Sequence, residues 1–477
     1  MAVLSGIEPN GVFYYFERIC EIPHPSHHTD EISAYLMRFA EEKGLFAFRD
    51  EVNNVIIKKP ASAGYEESKP VIVQGHIDMV CEKAPDCDKD MFKEGLDLAI
   101  DGDIVYAKGT TLGGDDGIAA AMMLALLDGD YPHPALECVF TVDEEVGMLG
   151  AEKLDASILE GKTVLNIDSE VEGVLTVGCA GGANVKCLLP ISRADFTGTA
   201  LGITVGGLQG GHSGIEIDKK RANANVLMGR ALDAISAKTE LRVISVNGGD
   251  KDNAIPRETV AKVVVSDAEK AVEAVAAMDA AFKNEYSISD SEVSVSYTPC
   301  GYEMPMDKDT SSALVTLLLC MPNGIQEMSA DIEGLVQTSL NFGILKTEAG
   351  QVSAQFCVRS SIDSQKVMLI FRISRLMSTL GGKIEISGNY PGWQYKPVSP
   401  LRDLMVEVFT EQYGYPPKIE AIHAGLECGL FADKIPGLDC VSFGPDLKEI
   451  HTCRETMSIS SVQRVWRMVL EVLKRMN

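Results

Sequence analysis

Five short stretches of this sequence place metal-ligand side chains directly after apolar runs. In V-I-V-Q-G-H-I-D, His76 and Asp78 stand two apart at the end of such a run. Residues i and i+2 of a strand point to one side, so imidazole and carboxylate can converge there. Asp78 would fix the imidazole's tautomer, as carboxylates behind ligand histidines do. G-T-T-L-G-G-D-D-G opens a helix with Asp115 and Asp116, after glycines that let the backbone turn tightly. F-T-V-D-E-E-V-G runs a strand into Asp143, Glu144 and Glu145. Three carboxylates at one strand end repel one another unless a cation or a proton intervenes. V-L-N-I-D-S-E supplies Asp168, and E-I-H-T-C-R-E, far along the chain, supplies His451.

Each stretch alone has a plain structural reading: an acid pair caps a helix, and a single H-x-D is an ordinary polar strand end. Their recurrence at strand ends favours one shared site, because the carboxyl ends of strands in an open α/β sheet line a common crevice. Two imidazoles and several carboxylates suit two divalent cations bridged by a carboxylate, Zn²⁺ first, with Co²⁺ or Mn²⁺ as alternatives. Between two such ions a water loses its proton readily, and a neighbouring free carboxylate would accept it. Glu144 and Glu145 diverge on an extended chain, so one can bind metal while the other stays free.

The elements that must position these groups alternate between strand and helix, an α/β pattern. Residues 71–74, 136–142 and 164–167 are near-continuous apolar runs, as expected of strands buried on both faces of a mostly parallel sheet. Residues 118–127 read as a buried helix with methionine as core filler. Thr29, Asp30 and Glu31 read as the N-cap and first turn of a helix ending near Gly44. From about residue 187 the texture becomes α+β: a β-α-β-β-α-β order ending in E-V-S-V-S-Y, then a second, similar series from residue 312 to K-I-E-I-S. The α/β texture resumes after Pro391. The sequence therefore predicts a catalytic domain of residues 1–186 and 388–477, with a mostly parallel sheet. An α+β lid domain, residues 187–387, built of two ferredoxin-like halves, would be inserted into it.

Together, G-H-I-D-M-V, G-G-D-D-G-I-A, D-E-E-V-G, N-I-D-S-E and the late I-H-T resemble the M20 metallopeptidase family, in order and spacing, over nearly the whole chain. Within it, G-G-H-S-G and H-A-G-L-E-C-G resemble the aminoacyl-histidine dipeptidase branch. The resemblance implies a zinc-exopeptidase-like catalytic domain in which His76 and Asp168 bind one metal, Glu145 and His451 the other, and Asp115 bridges both. It makes Glu144 the general base and Asp78 the orienting acid, and it implies hydrolysis of Xaa-His dipeptides, including β-alanyl-histidine.

Substrate contacts are expected elsewhere. His212 would hydrogen-bond the tetrahedral oxyanion; relatives with a single lid take this histidine from a partner subunit, and a doubled lid would let it act in its own chain. Arg359, ending F-C-V-R, suits bidentate capture of a peptide's C-terminal carboxylate, its ordinary alternative being a surface ion pair. Asn253 would contact the same carboxylate or oxyanion. Gly425 would offer backbone amides, and Glu427 would meet a substrate ammonium. His24, His27 and His28 read as a loop leading into a helix, and His133 and His423 are left without a role. A deacylase of N-acyl amino acids on the same scaffold, and a non-catalytic metal-binding protein, are the competing readings.

The 477 residues exceed one ordinary core, and 45% hydrophobic against 23% charged residues is a globular balance. Sixty-nine acidic against 43 basic residues give a net charge of -26, which disfavours nucleic-acid and anionic-membrane partners. Residues 1–11 lack the basic start and apolar run of a signal peptide, and no apolar run is long enough to span a bilayer. Twelve scattered cysteines suit a reducing compartment. A cytoplasmic enzyme is expected, monomeric or homodimeric, acting on short peptides.

Overall fold

Strands with apolar residues at consecutive positions must be covered on both faces. Val71–His76 and Leu136–Thr141 are buried along their whole length, and Thr163–Asn166 at all but its first residue. In the computed structural model, which describes residues 3–477, these strands run parallel side by side, with Asp439–Ser442 next in line. They form the centre of an eight-stranded sheet. Its full order is Phe46–Arg49, Val55–Lys59, Leu136–Thr141, Val71–His76, Thr163–Asn166, Asp439–Ser442, Val174–Cys179, Lys418–Ile422. The first two pair antiparallel along the outer edge.

Parallel pairing puts the carboxyl ends of the central strands on one edge of the sheet. His76, the 143–145 loop and Asp168 emerge there together. Helix Gly114–Asp128 is buried at every position up to Leu127. A helix of Ala, Met, Leu and Ile has no polar face to turn to solvent, so its N-terminus is drawn inside with the sheet edge, and Asp115 and Asp116 with it. Helix Asp30–Lys43 begins after Thr29 and ends at left-handed Gly44. Thr29 makes no side-chain cap; its hydroxyl accepts from Asn53 Nδ2 at 3.3 Å instead.

The chain divides into two units: residues up to Gly178 with Tyr395–Ala421 and Leu426–Asn477, and Cys179–Gln394 with Ile422–Gly425. The second contains a nine-stranded sheet whose pairings are antiparallel. Its order is Ser294–Pro299, Thr199–Gly206, Thr259–Val265, Leu241–Gly248, Val336–Thr347, Gln351–Ser360, Gly181–Pro190, Lys383–Tyr390, and Gly324–Met328 also pairs with Val336–Thr347. In one half, Thr199–Gly206, helix Ala224–Ser236, the strands Leu241–Gly248 and Thr259–Val265, helix Ala268–Glu285 and Ser294–Pro299 follow in β-α-β-β-α-β order. The other half has the same order apart from the additional strand Gly324–Met328, but its first strand, Gly181–Pro190, comes before the whole first half. One half is thus spliced into the other. Residue 187, the boundary expected from the sequence, falls inside Gly181–Pro190, which pairs as one continuous strand with Gln351–Ser360. Phe342 and Phe356, opposite one another across the sheet, stack with ring centroids 4.5 Å apart in the common core. Among the described residues no helix is long and apolar enough to cross a membrane.

Candidate functional site

His76 ends its strand with a buried ring. Its Nδ1 donates to the Asp78 backbone carbonyl at 3.0 Å, while the Asp78 carboxylate lies farther, at 3.6 Å. The tautomer-fixing partner expected in the Asp78 side chain is therefore nearer as Asp78's own main chain. With its proton on Nδ1, a neutral His76 points the Nε2 lone pair at carboxylates: Asp115 Oδ1 at 3.1 Å and Asp168 Oδ1 at 3.8 Å. His451, in the left-handed region at φ 60°, approaches the same aspartate from the other side. Its Nε2 lies 3.2 Å from Asp115 Oδ2 and 2.9 Å from Glu145 Oε1. Asp115 thus offers one oxygen to each imidazole.

Candidate ligand atoms of His76, Asp116 and Asp168, and of His76, Asp115 and Glu145, lie within 4.8 Å of one another. No lysine or arginine pairs with Asp115, Asp116, Glu144, Glu145 or Asp168 among the described residues. Lone pairs facing lone pairs, with five acids and two imidazoles, make a donor set that two adjacent divalent cations would satisfy. Without cations, protons take their place. Burial, then the charge of Asp116, drives the Asp168 carboxyl well up. Burial opposes protonation of His76, but hydrogen bonds from its ring to the Asp115 and Asp78 carboxylates outweigh it and raise its pKa. Hydrogen bonds to Asp115 and Glu145 raise His451 to about 10. Burial, then the charges of Glu427, Glu145 and Asp115, lift Glu144 to about 8.

The Asp78 carboxylate is not idle: Oδ2 accepts from the Ser26 hydroxyl at 2.8 Å and Oδ1 from the Glu144 amide at 3.1 Å. It links the His76 strand end to the backbone of Glu144. The His27 amide donates to Asp143 Oδ1 at 2.6 Å, so the 24–28 loop braces the acidic loop beside the site without supplying a ligand. Gly75 is required here. A Cβ at that position would lie 2.4 Å from Asp116 Oδ2 and 2.5 Å from Ala119 Cβ.

Two residues escaped the sequence reading. Asp116, read with Asp115 as a helix opening, turns its carboxylate into the cluster and accepts from the His76 amide at 3.3 Å. Glu455, 3% exposed, accepts from four successive amides: Leu112 at 2.8 Å, Gly113 at 3.0 Å, Gly114 at 2.8 Å and Asp115 at 3.3 Å. It follows His451 by one turn of chain and so ties the loops of two candidate ligands together. No spacing in the sequence announces such a clamp. Glu427, expected to meet a substrate ammonium, lies inside the fold. It is 0% exposed, with Oε2 held by Gln74 Nε2 and Thr141 Oγ1, both at 2.6 Å. Burial in first place pushes it up to about 7. Glu427 takes part in a polar rung under the sheet edge, where Gln74 also accepts from Asn166 at 2.7 Å, and its Oε1 is buried without a hydrogen-bond partner.

The other expected contacts lie in the second unit. The pair Gly211–His212 forms a two-residue ladder with Ala254–Ile255, which brings Asn253 beside His212. His212 Nδ1 accepts from the Gly214 and Ile215 amides at 3.1 and 3.2 Å. The neutral ring therefore carries its proton on Nε2, as a donor. Arg359 is 8% exposed and makes no ion pair among the described residues; Nη1 donates to Tyr390 Oη at 3.3 Å and Nε has no partner. The surface ion pair that arginines at strand ends ordinarily make is absent. Gly425 closes the segment Ile422–Gly425, which Ala180 holds through its amide to Ala424 O at 3.0 Å.

Residues 72–475 match the model of peptidase family M20/M25/M40. The chain belongs to that family. Over 487 aligned residues it is 38% identical to the cytosol non-specific dipeptidase of Escherichia coli (strain K12), covering 99% of each chain. The crystal structure of aminoacylhistidine dipeptidase from Vibrio alginolyticus superposes with a TM-score of 0.94 at 37% identity, covering 99% of this chain and 97% of that one. The aminopeptidase PepT from Bacillus cereus ATCC 10987, with 16% identity and a TM-score of 0.58 over 98% of this chain and 99% of that one, shares the fold. Membership makes this chain a metal-binding hydrolase of peptide bonds.

Proposed function

We propose that this peptidase is a two-metal dipeptidase that removes a C-terminal residue, histidine above all and including β-alanyl-histidine, from short peptides. The observation that carries the reading is Asp115, whose two oxygens stand 3.1 and 3.2 Å from imidazoles contributed by residues far apart in the chain. His76 and Asp168 would hold one ion, Glu145 and His451 the other, and Asp115 would serve both. The relatives named as dipeptidases support the substrate class, and the E. coli relative's name supports a cytoplasmic location.

Two divalent cations there, Zn²⁺ first and Co²⁺ or Mn²⁺ as alternatives, would polarise the scissile carbonyl and lower the pKa of the attacking water. Glu144, whose backbone Asp78 holds, takes the proton from that water and returns it to the leaving amine. His212 donates from Nε2 to the oxyanion, with Asn253 and the Gly425 amide as further polar contacts. Arg359, cationic and unpaired, takes the C-terminal carboxylate. His212 and Arg359 belong to one unit of one chain, so a monomer carries both.

The test is a substrate panel on enzyme loaded with each ion. Dipeptides with a free ammonium and a free carboxylate should be cleaved, Xaa-His best. Cleavage of N-acyl amino acids alone would transfer the assignment to a deacylase, and tight ion binding with no turnover of either class would make the chain a non-catalytic binder.

A further inference from the structure

In the second unit, Ser339, Arg359, Gly182 and Tyr390 form one cross-strand row, each directly opposite the next. Directly opposed residues project to the same face, so this row is a floor of polar side chains. Gly182 makes it possible, since a Cβ there would lie 2.6 Å from the Tyr390 hydroxyl that Arg359 Nη1 reaches at 3.3 Å. At the other end of the row, Ser339 Oγ sits 2.7 Å from His423 Nε2, which sets the imidazole beside the guanidinium. One row on, Asn341 opposes Cys357 and donates to Asp252 O and Ala254 O, both at 2.8 Å. That pins the 252–254 turn over the same face, and the Asn253 carbonyl in turn accepts the Ser213 amide at 2.9 Å.

Three buried polar atoms of this cluster lack any hydrogen-bond partner: Arg359 Nε, His423 Nδ1 and Ser213 Oγ. Buried polar atoms are ordinarily paired, and a buried guanidinium without an anion is costly. Burial first, and the Arg359 charge next, push His423 down to about 3, so its ring is neutral. Ser339 Oγ and His423 Nε2 share a hydrogen bond that holds the ring in place. Arg359 Nε, which can only donate, is left without an acceptor, with the Ser213 hydroxyl and the His423 ring in the same cluster. A carboxylate offers two oxygens and about four lone-pair sites.

We propose that His423 and Ser213 join Arg359 in a subsite for the terminal carboxylate of a short peptide, with His423 as a specificity-determining residue. This rests on the dipeptidase reading and adds to it the groups that recognise a free C-terminus.

The experiment compares a dipeptide with its C-terminal amide on metal-loaded enzyme, for the wild type, His423→Gln, His423→Asn and Ser213→Ala. Asparagine places its amide near the Nδ1 position, and glutamine places it near Nε2. His423→Gln should lower the acid-over-amide preference in kcat/KM by about tenfold, the worth of one hydrogen bond to a charged group, chiefly through KM. His423→Asn should restore part of it, and Ser213→Ala should move it the same way, serving also if His423→Gln fails to fold. Equal losses on acid and amide, or an unchanged preference in these variants, would overturn the proposal. If the loaded wild type cleaves no dipeptide, the dipeptidase reading falls separately. Calorimetric binding of acid against amide then decides the subsite, and equal affinities overturn it.

Discussion

Glu455 gives the sharpest perturbation, because one buried carboxylate satisfies four amides of the 112–115 loop. In Glu455→Gln one oxygen becomes an NH₂ group facing two N–H donors, so two of the four bonds become donor–donor contacts. Hydrogen bonds to a charged acceptor contribute about 1.5–3 kcal/mol each, so the unrelaxed loss is about 3–6 kcal/mol and a relaxing loop should show roughly half. The strain falls on the loop carrying Asp115, and Asp115 meets His451 at 3.2 Å. Two readouts follow. Urea unfolding of metal-free protein should shift by about 1.5–3 kcal/mol. Divalent-ion titration should show about 10–100-fold weaker binding, the usual cost of losing a residue that orients ligands. Wild-type stability together with wild-type ion affinity in Glu455→Gln would refute the reasoning.

Glu144→Gln should lower hydrolysis by about 10²–10⁴-fold while bound metal stays at the wild-type level, measured by steady-state kinetics and metal analysis. Gly75→Ala should destabilise by about 1–3 kcal/mol in thermal or urea unfolding, since its methyl must displace the Asp116 carboxylate or Ala119. Glu172 is held by Arg464 Nε at 2.6 Å and Nη2 at 2.5 Å, and by the Tyr413 hydroxyl. Burial works against its ionisation, but Arg464 and Tyr413 keep its carboxyl below the usual range. A depressed folded-state pKa adds stability above the unfolded value near 4.5 and loses it as pH falls through the folded one. Arg464→Leu should therefore cost about 2–3 kcal/mol at pH 7 and progressively less below about pH 4 in urea unfolding across pH; a pH-independent difference would contradict this.

Much of the site was legible because its groups sit where local patterns are strong. Apolar runs ending in His76, Asp143 to Glu145 and Asp168 declare strands and their carboxyl ends, and parallel pairing gathers those ends without further information. An all-apolar helix following Asp115 and Asp116 has nowhere to go but inside. What was not legible depends on tertiary partners. Glu455 looks like any acid until four amides converge on it. Glu427 reads as a contact for a substrate ammonium, and that Gln74 and Thr141 hold it in the interior shows only in the fold. His423 acquires meaning only when Ser339, opposite Arg359, fixes its ring. The splice that puts Gly181–Pro190 into the later half of the second sheet follows from long-range pairing, which no local period encodes.

On the proposed arrangement, His76, Asp115, Glu145, Asp168 and His451 hold two cations around a shared aspartate. A crystal of the metal-loaded enzyme, with anomalous scattering collected at the metal edge, tests it most directly. Two peaks about 3.5–4 Å apart are expected, with Asp115 between them, His76 and Asp168 on one and Glu145 and His451 on the other. A single peak, or peaks away from these side chains, would contradict it.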